Sequence, residues 1–289
     1  MEGDVMADGS GRFFGIPEPD PDRVQAMQAE VQADAAAYGE RSRQSVRDCL
    51  DRVLAEARTG DLTEASARID HLIACIEGLR PRELEPRRGL AGLFDSRNGR
   101  LKRFRSAFQA AGRTVRDTLA EIEERLKGVE TRGASLNGAL DALRDGVREI
   151  HGHVRVGLAA LTPPPVAAEG EETPADPHQA LRGRIGDLDT HRASGVAALP
   201  CARAIQNADA WAADAVRRAA PALNAWQEDW TARLGLDRKR PRKVRPDISE
   251  LEALRDRLLA TLNRIKADVA QAQDRRKAQV ARLESLRNG

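Results

Sequence analysis

The clearest hydrophobic pattern in the chain lies between residues 101 and 161. Leu101, Phe108, Val115, Ile122, Val129, Leu136, Leu143 and Ile150 recur every seven residues without a miss. A second register, four residues further on, holds Leu119, Leu126, Leu140, Val147, Val154 and Leu161, broken only by Gly133. A double seam with a 3.5-residue period is what a coiled-coil helix presents to a partner. Gly112, Gly128, Gly133, Gly138, Gly146, Gly152 and Gly157 fall in the same run. Each weakens an isolated helix by about 1 kcal/mol against Ala, so this helix needs a partner along its length, with its glycines as places for close approach or bending. The heptad returns at the end of the chain, with Leu251, Leu258, Ile265, Ala272 and Leu286 in one register. Leu262, Val269 and Leu283 hold the other, and Arg276 is its exception. The pattern predicts that 247–289 packs back on 101–161 as an antiparallel partner.

Proline divides the rest. All 14 prolines lie outside 22–80, 87–162 and 247–289, which marks those stretches as helical. Residues 1–22 are acidic and rich in Gly and Pro and read as a disordered tail, with Phe13-Phe14 either part of it or a small docking point. Residues 23–80 read as a helical hairpin. Its first helix carries Val24, Met27, Val31, Val46, Leu50 and Val53, weakly between 32 and 45. Its second opens on an Asp61/Glu64 capping box and buries Leu62, Ala65, Ile69, Leu72, Ile73, Ile76 and Leu79. The long coiled-coil-like helix follows over 87–161. The stretch 162–178 holds five prolines, four acids and no Lys or Arg, and reads as a solvated linker. Residues 179–236 read as a Trp-containing helical segment kinked at Pro200. A basic turn, Arg238, Lys239, Arg240, Arg242, Lys243 and Arg245, precedes the last helix. The fold class that follows is all-α: an elongated antiparallel helical bundle or coiled-coil hairpin with long helices.

Composition agrees. Apolar residues make up 41% of the chain and charged residues 32%, but aromatics only 3%. Strands favour aromatic and β-branched side chains, and this chain is instead rich in Ala, Leu, Glu, Gln and Arg. Net charge is +2 and selects no partner. Cys49, Cys75 and Cys201 are an odd number at wide spacing, which suits a reducing compartment. The acidic N-terminus is unlike a signal peptide, and no run of 18 apolar residues occurs.

Candidate chemistry is sparse. There is no GxxxxGK[ST], no strand-linked GxGxxG, no GxSxG and no HExxH. His151 and His153 point about 200° apart on a helix, so they cannot chelate one ion together and read as surface histidines. Asp187, Asp189 and His191 are scattered by the same geometry and read as ion-pair partners of Arg182, Arg184 or Arg192. Cys49 and Cys75 sit on apolar stripes and read as small buried hydrophobes. The basic turn reads first as a solvated loop and second as a contact for anionic lipid or nucleic acid. It has no aromatic residue to stack a base, which argues against nucleic acid. No catalytic residue, cofactor site or metal site emerges.

Two blocks carry a resemblance. Arg182-Gly-Arg184-Ile185-Gly-Asp187-Leu188 leads into Leu199-Pro200-Cys-Ala-Arg203-Ala-Ile205-Gln206-Asn207-Ala-Asp209, with Trp226 and Leu234-Gly235-Leu236 downstream. The order R-x-x-D-L, P-x-x-R-x-x-Q-N, then Trp resembles the toxic anion resistance family, the TelA type associated with tellurite resistance. Tyr38-Gly39, the 61–79 helix, Gly92-Leu93-Phe94, the Ile248-Ser-Glu-Leu251-Glu-Ala-Leu254 helix and Arg275-Arg276-Lys277 extend the likeness over most of 36–289. The chain departs from the family pattern in three places. A short basic turn stands where the family has a longer helical region, Asn224-Ala225 rather than a Pro precedes Trp226, and the linker 162–178 interrupts the helix.

The resemblance implies a cytoplasmic bacterial protein of tellurite or envelope-stress resistance with no established catalysis. On the residues themselves, Arg203, Gln206 and Asn207 share one helix face just past Pro200. With Arg184, Asp187 and Trp226 they form the candidate site, read first as a buried polar layer that fixes helix register and second as a binding site. The functional expectation is a non-enzymatic scaffold or interaction protein with an unknown protein partner, self-association being open. The alternative is a peripheral membrane or nucleic-acid binder acting through 238–245. Thiol chemistry on an oxyanion is a third and weaker reading.

Overall fold

The computed structural model describes residues 20–59, 63–86, 96–161, 178–237 and 244–288. Among these, every regular element is helical: α1 (Pro21–Ala33), α2 (Glu40–Thr59), α3 (Thr63–Glu77), α4 (Arg97–Ala160), α5 (Gln179–Arg217), α6 (Ala219–Arg233) and α7 (Ile248–Asn288), with a 3-10 turn at Pro81–Leu84. The chain is an all-α helical bundle, as its heptads and composition predict.

Helix ends follow local chemistry. Asp20 accepts the N–H of Asp22 at 3.0 Å and Pro21 opens α1, so the helix begins inside the segment read as a tail. Asp247 accepts the N–H groups of Ser249 (3.0 Å) and Glu250 (3.2 Å) to start α7. At the end of α6 the Leu236 N–H reaches the Thr231 carbonyl (2.9 Å) and the Gly235 N–H that of Ala232 (3.1 Å). Gly235 sits at φ +66°, so this is a Schellman closure. The residues 1–19, the Asp61 cap, the Gly92-Leu93-Phe94 stretch and the linker 162–177 lie outside the described residues.

Two segments break where the hydrophobic pattern did not place a break. The first helix of the expected hairpin is two helices. Asp34 accepts from the N–H groups of Ala36 (2.9 Å) and Ala37 (3.1 Å), and Gly39 takes a left-handed φ of 64°, which turns the chain between α1 and α2. Pro200, in contrast, does not interrupt α5. Pro200 and Val196, whose carbonyl loses its helical donor, both lie on an exposed face where water can serve that carbonyl. The second break falls at Arg218, because Pro221 cannot donate to the Arg217 carbonyl and its ring crowds it.

The chain forms two compact units. The first comprises α1, α2, α4 from residue 135, α5 to residue 203 and α7 from residue 279. The second comprises α3, α4 to residue 134, the rest of α5, α6 and the rest of α7. The stretch 23–80, read as one hairpin, is therefore divided between them.

In the second unit α4 and α7 share one core, in which Leu101, Phe108, Val115 and Ile122 join Leu251, Leu258, Leu262 and Ile265. They do not run antiparallel. The Arg97 guanidinium donates to the Val244 carbonyl (3.3 Å) at their starts, while Arg132 acts electrostatically on Asp209, the residue that holds Arg276. Both helices thus advance in the same direction. α3 runs against both, through Arg68–Glu121 at 2.9 Å and Lys266–Asp70 at 2.6 Å. So does the α5–α6 return, through Arg217–Glu130 and Arg233–Glu250. A single helical return between α4 and α7 requires this parity; a heptad seam carries no direction.

In the first unit α4 is nearly enclosed, being buried at 150–154 and again at Val156 and Gly157. Glycine makes this packing close. A Cβ on Gly157 would lie 2.8 Å from Ile185 Cγ1, and one on Gly195 2.6 Å from Val147 Cγ2. Gly133 in the second unit has nothing within 4 Å of its Cβ position. Thermal melts followed by circular dichroism should therefore separate these glycines. Gly157→Val is expected to cost about 1–3 kcal/mol through overpacking, whereas Gly133→Ala should stabilise by about 1 kcal/mol.

Candidate functional site

The second unit gathers residues from two of the resembling stretches. Arg276, the exception in the α7 heptad, is 8% exposed, and its Nε donates to Asp209 Oδ1 at 2.9 Å. Burial pushes the Asp209 carboxyl above its usual range, while Arg276 and Arg132 pull against that shift. One position before Arg276, the Arg275 guanidinium lies over the Trp211 ring, 4.6 Å from its centroid. Asp209 and Trp211 of α5 are thus joined to Arg276 and Arg275 of α7. Further along the unit, Trp226 and Trp230 pack with Phe104 and Phe108 at centroid distances of 5.1–5.7 Å. Arg105 donates through Nε to the Leu234 carbonyl (2.9 Å), closing the end of α6.

In the first unit the R-x-x-D-L element meets Tyr38-Gly39. Arg184 Nε donates to the Tyr38 carbonyl at 2.7 Å, and its Nη2 pairs with Glu40. Arg43 also donates to Glu40, at 2.6 Å. Hydrogen bonding by Arg43, and then by Arg184, holds the Glu40 carboxyl at about 2. Tyr38 is buried; burial pushes its phenol up, and its hydroxyl donates to the His153 carbonyl at 2.8 Å.

The expected site residues separate. Arg184 is half-buried in the cluster just described. Asp187 is exposed and bears on Arg43 only electrostatically. Arg203 is exposed and donates to Asn137 Oδ1 at 3.3 Å. Gln206 is half-buried and Asn207 exposed, so these five do not form a buried polar layer. Trp226 is core. In the basic turn Arg245 is exposed; Arg238, Lys239, Arg240, Arg242 and Lys243 lie outside the described residues.

The histidines are a correction. His151 and His153 are each only 3% exposed. Although they point to opposite sides of α4, that helix is covered on both. His153 Nε2 lies 3.1 Å from a Glu30 carboxylate oxygen on α1, and His151 Nδ1 lies 3.2 Å from Arg192 Nη1 on α5. Asp189 pairs with Arg192 at 2.6 Å, and no group of His, Cys, Asp and Glu that could hold a metal occurs among the described residues. Burial pushes the Cys49 and Cys75 thiols up, which suppresses the thiolate that oxyanion chemistry would need. The buried partnership of Asp209 and Arg276 was missed, although a lone Arg in an apolar heptad register signals it.

Two outcomes follow. Arg276→Met alone leaves the half-buried Asp209 carboxylate without its partner, and urea unfolding should show a loss of roughly 1–3 kcal/mol. Adding Asp209→Leu should recover most of it, since apolar replacement of a buried pair is often neutral. For Glu40, a carboxyl depressed from 4.5 to about 2 contributes stability that is present above pH 4.5 and lost as pH falls towards 2. Glu40→Gln should lower the melting temperature at neutral pH and flatten its fall across that window, so that the two proteins converge towards pH 2.

Among the described residues no helix is long and apolar enough to cross a membrane. The family model of the toxic anion resistance protein (TelA) matches residues 23–244. Comparison with curated proteins and with solved structures returned no match. Since that family match covers well over half of the chain, the chain belongs to the toxic anion resistance protein (TelA) family.

Proposed function

We infer that this chain serves toxic anion resistance as a non-enzymatic helical scaffold in the cytoplasm, with tellurite among the stresses concerned and another protein as its partner. The observation that carries this reading is the use made of Asp209 and Arg276: a charged group within the family match, Asp209, is bound across α5 and α7 by an arginine of the last helix. Trp211 beneath Arg275 and Trp226 in the aromatic core are likewise engaged in holding helices together. A side chain committed to a buried interhelical contact fixes geometry and is poorly placed to turn over a substrate.

The test is complementation of a strain lacking the gene, plated on tellurite. Asp209→Leu/Arg276→Met removes both charges and keeps the packing, so a scaffold should restore resistance to within about twofold of the unaltered protein. Loss of resistance by a double variant that melts normally would assign chemistry to the pair and overturn the reading. Gly157→Val, which disturbs packing and touches no charged group, is expected to lower resistance in parallel with its melting temperature.

A further inference from the structure

Within the second unit, a half-open groove of about 630 Å³ runs between α3, α4 and α5. Its volume falls in the range of small-molecule sites, roughly 300–1,000 Å³. Its floor is apolar and includes Ala65, Ile122, Leu126, Val129, Ala212 and Val216. The charges at its rim are unequal in their satisfaction. Glu121 is met by Arg68 at 2.9 Å, Glu64 by Arg125, and Glu124 by Lys127 at 3.6 Å. Arg132 also lines the groove, and among the described residues its guanidinium has no hydrogen bond and no ion pair. Asp209, the carboxylate on which it acts from a distance, is already bonded to Arg276. The guanidinium instead lies over Gly128, with Nη1 3.3 Å from where a Cβ on that glycine would be. A side chain there would press on it, so the glycine leaves it room along the floor.

We propose that this groove is a binding site for a small amphipathic monocarboxylate, its apolar body on the floor and its carboxylate on Arg132. A single uncompensated guanidinium matches one negative charge and can take a carboxylate through two parallel N–H bonds. A ligand of higher charge such as phosphate is disfavoured, because Arg68 and Arg125 are engaged by Glu121 and Glu64 and Arg132 alone is left to answer it. An uncharged apolar ligand would leave the guanidinium as it is and gain only the floor. The site stands apart from the scaffold reading: it needs neither a protein partner nor a role in resistance.

The experiment titrates the purified full-length chain with 1-anilinonaphthalene-8-sulfonate, which carries one anion on an apolar body, and then displaces it with decanoate. One saturable site per chain is expected, displaced by decanoate at least tenfold more effectively than by decanol, and not displaced by inorganic phosphate. Arg132→Gln should weaken decanoate at least tenfold, Arg132→Lys should recover part of the loss, and Gly128→Leu should abolish binding by filling the floor. Melting curves of each variant establish that it is folded. Unsaturable dye binding, equal displacement by decanol and decanoate, or undiminished affinity in a folded Arg132→Gln variant would each overturn the proposal.

Discussion

A guanidinium in an apolar seam has to be answered. Arg276 occupies a heptad position of α7 that Leu262, Val269 and Leu283 hold elsewhere, and burying an unpaired charge there costs several kcal/mol. Asp209 is its answer, and only one relative placement of α5 and α7 lets the two meet at 2.9 Å. A contact between leucines tolerates a slip along the helix, because every heptad looks like the next. A charge pair does not. The register of the second unit depends on this pair more than on any single apolar layer.

Direction depends on a different constraint. α4 leaves the second unit at residue 134 and the chain returns to it once, through α5 and α6, before α7 begins. One return makes α4 and α7 parallel, and it places α3 and the α5–α6 stretch against both. The aromatic cluster of Phe104, Phe108, Trp226 and Trp230 then falls between an outgoing and a returning helix, where large rings can fill space that Ala and Leu leave. In the first unit small residues do the corresponding task. Gly157 and Gly195 bring α4 and α5 within contact of each other's backbones, so α4 can be covered on nearly all sides there.

What was legible in the sequence was what repeats. The heptads at 101–150 and 251–265 predicted long helices, and those helices exist with shared core positions. The Asp247 cap of α7, by contrast, is visible only in the structure. The α1–α2 turn was only half visible, as a weak stretch between 32 and 45, because Asp34 and Gly39 act through backbone geometry rather than through hydropathy. His151 and His153 were misplaced since periodicity assigns one buried face per helix, and α4 has two at that level. The buried-layer reading of the candidate polar set is not met for a related reason. Arg203 and Asn207 share a helix with Asp209, but only Asp209 faces a buried charge, and which residue does so depends on a helix 67 positions away. The stretches that carry the resemblance include both Asp209 and Arg276, but nothing in their sequence pairs the two.

The parallel course of α4 and α7 is the most direct point at which this account can fail. In a chain whose native cysteines are replaced by serine or alanine, spin labels at Lys102 and Ser249 would be compared with labels at Lys102 and Asp274 by pulsed electron paramagnetic resonance. The two α7 positions are separated by roughly 37 Å along the helix, at 1.5 Å per residue. A short distance for 102–249 and a much longer one for 102–274 is the predicted result. The reverse order would restore the antiparallel pairing and contradict the register on which the Asp209–Arg276 junction rests.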